Sequence, residues 1–581
     1  MNMLSRIWKT GAEASLQSWT SELIDALRRH AREQGNAVAF RYLKDGEREE
    51  TICTYRELEA KVRAKALWLC AESLSGKRVL LCYPNTPEFV VTMLACLWAG
   101  VIAVPVNVPR RSRGTRLRTI AVDAQVSAIL TTQEVPESCH LELEQLADDL
   151  VVMMLISENA ENVQSNVPLP ALSPNAIAYL QYTSGSTCDP KGVMVSHRNI
   201  AANCASLTDV VGQGPHVVVS WLPFYHDMGL VGTIFFPIWC GYSLVFMPPS
   251  AFLMKPVRWL QAITRYRGTL SPAPNFAYDL CTRRVSSEQR SQLDLSSWRI
   301  AFNGAERIGH DTLQRFSAAF RDSGFRTETF FPCYGLAEST LVVTGGAASE
   351  KATVRQFDPE SIFEGQAKLS EKGASYVGCG RPVGKAVVVI ADPVTSRSRP
   401  EGGVGEIWTV GPSVANGYWN NAVATMDSFE ACLAGSEERR FLRTGDIGFF
   451  WHDELFIVGR IKDLIIIAGR NIAAEDIELV VEDAHDAIHP GGVIAFADND
   501  NASKEKIVVV AEIPRHFGGG AGLKGIETAI REAVANHHDA ATGEVVLVPR
   551  GMLLRTANGK KARSECRRAW KQGELKGLGD D

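Results

Sequence analysis

Short β-branched apolar runs alternate along the chain with longer segments in which apolar residues return every three or four positions. RVLLCY at 78–83, SAILTT at 127–132, HVVVSWLP at 216–223, SLVFM at 243–247 and AVVVIAD at 386–392 predict strands. Their nearly unbroken hydrophobicity marks strands buried on both faces, and the helix-period segments between them predict an α/β architecture. No period of about 20–50 residues repeats, which argues against a solenoid.

Two uncharged stretches, Phe89 to Val108 and Met228 to Met254, reach bilayer-spanning length. In the first, EFVVTMLACLWAG predicts a helix that stops at Gly100 before a strand VIAVPV. In the second, Pro237, Gly241, Pro248 and Pro249 divide the run into pieces of helix or strand length. Buried helix–strand units, and no transmembrane segment, are therefore expected. Residues 1–35 predict an amphipathic helical entry carrying charges throughout, without the apolar run of a signal peptide.

Two regions break the rhythm. Residues 341–376 are polar, charged and weakly periodic, and predict an insertion or long surface excursion. Around GRIKD at 459–463 a boundary is expected, leaving enough chain behind it for one small α/β domain.

Composition narrows the function. At 581 residues the chain exceeds one ordinary domain, and 45% hydrophobic with 22% charged residues excludes disordered and collagen-like classes. The 61 basic and 66 acidic residues give no broad attraction to nucleic acid or anionic membrane. Thirteen cysteines show no CxxC pair and no zinc spacing, which with the missing secretion signal predicts reduced thiols in a cytoplasm.

Tyr182–His197, YTSGSTCDPKGVMVSH, holds the densest candidate chemistry. Thr183, Ser184, Gly185, Ser186 and Thr187 put hydroxyls and backbone amides in one loop, and Lys191 adds a cation, a combination suited to a polyphosphate. A Ser/Gly-rich surface turn would carry the same letters. No Walker A loop and no GxSxG elbow occurs anywhere.

The loop resembles the phosphate-binding signature of the adenylate-forming ligase superfamily, with Cys188 where the family usually has glycine. Further signatures follow in order. WLPFYHDMG at 221–229 resembles the acyl-pocket segment, which assigns His226 to the neighbourhood of the reacting carboxylate. NGAE resembles the adenine-binding turn and assigns it Asn303, Gly304 and Ala305. In YGLAEST the resemblance gives Tyr334 an adenine-packing role, puts Gly335, Leu336 and Ala337 at the adenylate, and gives Glu338 the support of Mg²⁺; Ala337 stands where many relatives have threonine. RTGDIG resembles the motif whose aspartate, here Asp446, accepts both ribose hydroxyls. GRIKD matches the hinge, implying that Arg460 reaches the nucleotide and Lys462 absorbs rotation. RTANGKKAR at 555–563 places the catalytic lysine at Lys560. Taken singly, each has a plainer reading: a core histidine, a helix-start charge, a turn aspartate, a solvated basic tail.

The resemblance implies a large multi-subdomain α/β body over 1–459, a hinge at 460–463 and a small mobile C-terminal domain over 464–581. It also implies ATP and Mg²⁺ as reactants of an adenylation. The position and length of 341–376, and DLIIIAGRN at 463–471, resemble the fatty acyl-AMP ligases, although IAAEDIE follows where many members have a His-Tyr-Pro stretch. A fatty acid substrate and an acyl carrier protein, or a carrier domain of a polyketide or nonribosomal peptide synthase, are then the expected partners. A medium- or long-chain acyl-CoA synthetase with an unrelated insertion is the alternative, and a noncatalytic nucleotide sensor or a lipid-binding membrane protein is the reading from another class.

Overall fold

A computed structural model describes residues 22–108, 114–157, 168–183, 190–212, 214–436, 439–467, 470–498, 506–515, 519–538, 540–555, 561–575 and 577–578. A six-stranded sheet runs in the order Met153–Ile156, Ala128–Thr131, Arg78–Cys82, Ile102–Val106, Ile177–Tyr182, Gly192–Ser196, parallel except for its last pair. A nine-stranded sheet has Ile300–Asn303, Leu270–Ala273, Val217–Ser220 and Ser243–Phe246 at its parallel centre. Phe330–Gly335 and Val38–Leu43 flank that centre, and antiparallel strands close both margins.

Both long uncharged stretches are core elements. Helix Pro87–Ala99 starts on a proline that suits a first helical turn, ends at Gly100 with φ of 68°, and buries nearly all its residues. Strand Ile102–Val106 follows, as its β-branched pattern predicts. In the second stretch, Asp227–Leu230 leads through a π-helical turn, Val231–Phe235, into Phe236–Cys240. Pro237 has no N–H to return to the preceding turn, and the widened turn lies where that bond is missing. Among the described residues, no helix is long and apolar enough to cross a membrane, and the cysteines form no disulfide.

The segment 341–376 differs from the surface excursion expected of it. Val342–Gly345 is a fully buried strand of the nine-stranded sheet. Beyond it, Val354–Phe357 pairs antiparallel with Ala374–Val377 around helix Pro359–Phe363. Phe357, Ile362 and Tyr376 then pack with Phe449, Phe456 and Val458 of the four-stranded antiparallel sheet formed by Val387–Ala391, Gly405–Val410, Leu442–Trp451 and Glu454–Arg460. The apolar residues are few and scattered among charges, so periodicity missed them, yet these three are anchors.

After a single 3₁₀ turn, Ile461–Asp463, come a two-stranded ribbon, helix Ala474–Glu482, and a three-stranded sheet of Val493–Asp498, Lys506–Ile513 and Thr542–Pro549. Helices Gly519–His538 and Arg563–Lys571 cover it. Two buried clusters drawn only from residues beyond 464 form its interior.

Candidate active site

A cavity of about 1910 Å³ is lined by strand ends of both large sheets, by the four-stranded sheet, and by residues of the C-terminal part. Thr183 and Lys191 border it at the sheet edge that carries the Ser/Gly-rich loop. Residues Ser184, Gly185, Ser186 and Thr187, and Lys560, lie outside the described residues. His226, Gly304, Ala305, Tyr334, Gly335, Leu336, Ala337, Glu338, Asp446, Arg460 and Lys462 line the same space. Asn303 does not: it is fully buried at the end of its strand, where its Nδ2 points to Asn275 Oδ1 at 3.4 Å. Asn275 Oδ1 in turn accepts from the Gly309 amide at 3.1 Å, so Asn303 braces the turn that presents its neighbours.

That turn is tight for a reason visible in the backbone. Ala305 has φ of 69°, a left-handed conformation costly for a residue with a Cβ and common at functional sites. At Gly335 a Cβ would lie 1.9 Å from the Leu341 carbonyl oxygen. Only glycine lets the Tyr334–Glu338 segment fold so closely beneath the strand that follows.

Glu338 accepts a hydrogen bond from the Tyr418 hydroxyl at 2.9 Å, and Lys191 Nζ sits 4.9 Å from the centre of the same ring. Burial pushes the Glu338 carboxyl above its ordinary range, opposed by the Tyr418 bond and the Arg460 charge. Tyr418 thus couples two residues far apart in sequence. Sequence reasoning missed it; the only local signal is an aromatic pair, Tyr418–Trp419, behind Gly417 in an otherwise polar stretch.

Asp446 is buried and receives two donors: Tyr334 hydroxyl on Oδ2 at 2.7 Å and Arg460 Nε on Oδ1 at 2.9 Å. Burial raises the Tyr334 hydroxyl pKa, as does the Asp446 charge. A carboxylate has about four lone-pair sites, so two such bonds leave capacity for further hydroxyl donors. Glu406 shapes the loop around it, accepting from Arg443 Nε at 2.9 Å and from the Gly445 amide at 3.2 Å. Glu406 is buried in a strand and gave no sequence signal as a site residue.

His226, at the N-cap of the helix that begins at Asp227, has its Nδ1 2.6 Å from Asp227 Oδ1, which also accepts from the Met228 amide at 2.6 Å. Met228, Gly232 and Phe236 succeed one another along that helical run and line the cavity's apolar side. Across the space, Arg307 pairs with Asp476 of the C-terminal part and stacks on Tyr376, 4.8 Å from its ring centre.

Comparisons with known proteins give the chain a family and the fold a precedent. Residues 27–419 match the AMP-binding enzyme family, and 462–579 match the AMP domain of Disco-interacting protein 2-like proteins. The chain is 39% identical over 568 residues to JamA of Moorena producens (strain JHB), a medium-chain-fatty-acid–[acyl-carrier-protein] ligase, with 96% of each chain covered. A structure from a study of fatty acyl-adenylate ligases of E. coli and L. pneumophila superposes with a TM-score of 0.86 at 31% identity, covering 95% of this chain and 98% of that one. The L. pneumophila fatty acyl-adenylate ligase in complex with acyl adenylate and pyrophosphate gives 0.74 at 34%, covering 95% and 96%. The fold is that of the adenylate-forming ligases. This chain belongs to the AMP-binding enzyme family.

Proposed function

We propose that this protein is a fatty acyl-AMP ligase. It joins a fatty acid to ATP, giving acyl adenylate and pyrophosphate. It then passes the acyl group to the phosphopantetheine thiol of an acyl carrier protein, or of a carrier domain in a polyketide or nonribosomal peptide synthase, for lipid, polyketide or lipopeptide synthesis. The observation that carries this reading is the continuity of one cavity, from the apolar wall of Met228, Gly232 and Phe236, past His226, to Lys191, Glu338, Asp446 and Arg460. Each methylene buried on that wall contributes roughly 0.8 kcal/mol. The carrier-protein activity in the name of JamA and the ligands of the L. pneumophila structure support it.

In the first half-reaction a carboxylate oxygen attacks the α-phosphorus and the bond to the β-phosphate breaks, releasing pyrophosphate. Both reactants are anions, so catalysis consists of positioning and of positive charge where negative charge develops. Lys191, Lys560 and the amides of residues 184–187 supply that charge at the phosphates; the Thr183 amide, expected to join them, instead donates to the Lys191 carbonyl at 3.2 Å. Asp446 holds the ribose hydroxyls, Gly304 and Ala305 with Tyr334 receive adenine, and His226 stands beside the carboxylate. Gly335, Leu336 and Ala337 border the adenylate.

Mg²⁺ belongs to the same reading. No trio of His, Cys, Asp or Glu gathers in metal-binding geometry among the described residues. Glu338, half-buried and accepting from the Tyr418 hydroxyl, would support an ion held largely by phosphates and water. When bound, the ion supplies charge neutralisation at the phosphates.

In the second half-reaction the thiol sulfur attacks the acyl carbonyl, and AMP leaves with the C–O bonding electrons. We read 1–459 as the body, 460–463 as the hinge and 464–581 as a small domain that turns about Lys462 to clear the way for the thiol. The folded segment 341–376, whose Tyr376 meets Arg307 and through it Asp476, supports a carrier thiol over free coenzyme A as acceptor. A cytoplasmic setting completes the proposal.

The test supplies ATP and fatty acids of graded length with either holo carrier protein or coenzyme A. Acyl-loaded carrier with little acyl-CoA is expected. Rapid acyl-CoA formation overturns the acceptor assignment, and no fatty-acid-dependent pyrophosphate release overturns the ligase reading.

A further inference from the structure

Most cations around the cavity are committed to carboxylates at close range. Arg460 Nε lies 2.9 Å from Asp446, Arg443 Nη2 2.8 Å from Glu406, and Arg563 Nη1 2.6 Å from Glu475. Arg307 pairs with Asp476. Arg116 differs. It lies in the first turn of helix Gly114–Asp123 and lines the cavity beside Thr183, the last described residue before the Ser/Gly-rich loop.

Its guanidinium is held loosely and from two sides. Nη2 donates to the Thr183 carbonyl at 3.4 Å, and Nη1 lies 3.7 Å from Glu565 Oε1, with both side chains about two-fifths exposed. A guanidinium carries five N–H donors in a planar fork suited to phosphate oxygens. Among the described residues, one long bond and one long ion pair are its polar contacts, and they leave most of that capacity unused. Glu565 belongs to helix Arg563–Lys571, in the C-terminal part. The chain segment around Thr183 and the C-terminal part therefore meet at one under-used arginine.

We infer that Arg116 is a ligand for the pyrophosphate portion of ATP, the β- and γ-phosphates before adenylation and pyrophosphate after it. Glu565 competes with the phosphates for the guanidinium. Its negative charge favours release of the product, and its position in the C-terminal part couples that release to movement of this part. The α-phosphate and nucleoside are held by the other residues described above, so Arg116 acts on the leaving group and hardly on acyl adenylate. This inference rests on the adenylation reading and adds a residue to it that none of the sequence signatures includes.

The test uses the full chain with ATP, Mg²⁺, a fatty acid and added pyrophosphate, comparing wild type, Arg116→Gln and Arg116→Lys. Wild-type pyrophosphate release establishes the adenylation reading separately; its absence overturns that reading and the inference with it. With wild type active, Arg116→Gln is expected to raise KM for ATP and weaken inhibition by pyrophosphate at least tenfold. Acyl transfer from supplied acyl adenylate should stay within about twofold. Arg116→Lys, which restores the charge without the fork, should recover part of the pyrophosphate affinity. The inference is overturned if pyrophosphate inhibition is unchanged in Arg116→Gln. It is equally overturned if transfer from supplied acyl adenylate falls as much as the ATP-dependent step, because a loss common to both halves is a structural defect.

Discussion

Glu338 and Glu478 both border the cavity, one in the body and one on helix Ala474–Glu482, and their surroundings differ in kind. Glu478 is almost fully buried and receives four donors: Arg563 Nε at 2.7 Å and the Ala495 amide at 3.1 Å on Oε1, Arg563 Nη2 at 2.8 Å and Lys561 Nζ at 2.9 Å on Oε2. Burial alone would raise its pKa, but the Arg563 and Lys561 charges outweigh that and draw it down to about 2. Glu338 has the Tyr418 hydroxyl, and burial wins. The difference separates two uses of buried charge. A carboxylate saturated by its own protein's cations is a structural joint. One whose neighbouring cation, Arg460, does not outweigh desolvation retains affinity for charge brought by a substrate complex.

The comparison is broken most directly at the joint. Glu478→Ala takes from the half-buried Lys561 and Arg563 their shared partner but leaves them Glu482, Glu475 and Asp463, so the cost should fall below about 3–5 kcal/mol, that of breaking an isolated buried pair. Denaturant unfolding of the full chain should show early loss of the C-terminal part; an unchanged midpoint removes the distinction. On the substrate side, Lys560→Ala should lower fatty-acid-dependent pyrophosphate release about 10²–10³-fold, the scale of losing one preorganised charge at the reacting group. Transfer from supplied acyl adenylate should be spared, since that step does not attack phosphorus.

Glu338→Gln sharpens the contrast because activity and stability move oppositely. Pyrophosphate release should fall roughly 10²-fold. The melting temperature at neutral pH should rise by about a degree or two, since a neutral amide avoids the cost of burying the charge. Glu338 has a folded pKa above its unfolded value, so the variant's gain is present at neutral pH and vanishes below the unfolded carboxyl value near about 4.3. Glu478 has the opposite sign: its stabilisation is present above about pH 4.3 and is lost as pH falls toward about 2. Melting curves of wild type, Glu338→Gln and Glu478→Gln across this window read both signs. The smallest effect belongs to Tyr418→Phe, which deletes one hydrogen bond worth about 0.5–1.5 kcal/mol. A several-fold rise in KM for Mg²⁺-ATP with unaltered folding is expected.

Much of this molecule is legible in its residues. The run VIAVPV after Gly100, the proline-cut stretch beyond Met228 and the strand-forming SLVFM appear in the structure where their patterns put them. Thirteen of the residues singled out from motifs border one cavity although they span Thr183 to Lys462. Motif residues are readable because their chemistry demands rare local combinations: a glycine that must admit a neighbouring carbonyl, an aspartate in a tight turn. Glu406, Tyr418, Arg116 and Arg307 escaped notice because each works through a partner distant in sequence, and a lone charged or aromatic residue carries no mark of which partner it meets.

By itself, then, the sequence determined the alternation of helix and strand, the core character of its two uncharged stretches, and the residue types gathered for an anionic nucleotide. Tertiary structure alone decided which charges were consumed. Arg563 and Lys561 are as cationic in sequence as Lys191, yet the fold closes them on Glu478 and leaves Lys191 against an aromatic face. It also turned 341–376 from a polar stretch into a docked unit, through three anchors that pack on a sheet about 100 residues downstream. The physical reason is common to both. Burial and pairing are properties of the space around a side chain, and that space is built by residues remote along the chain.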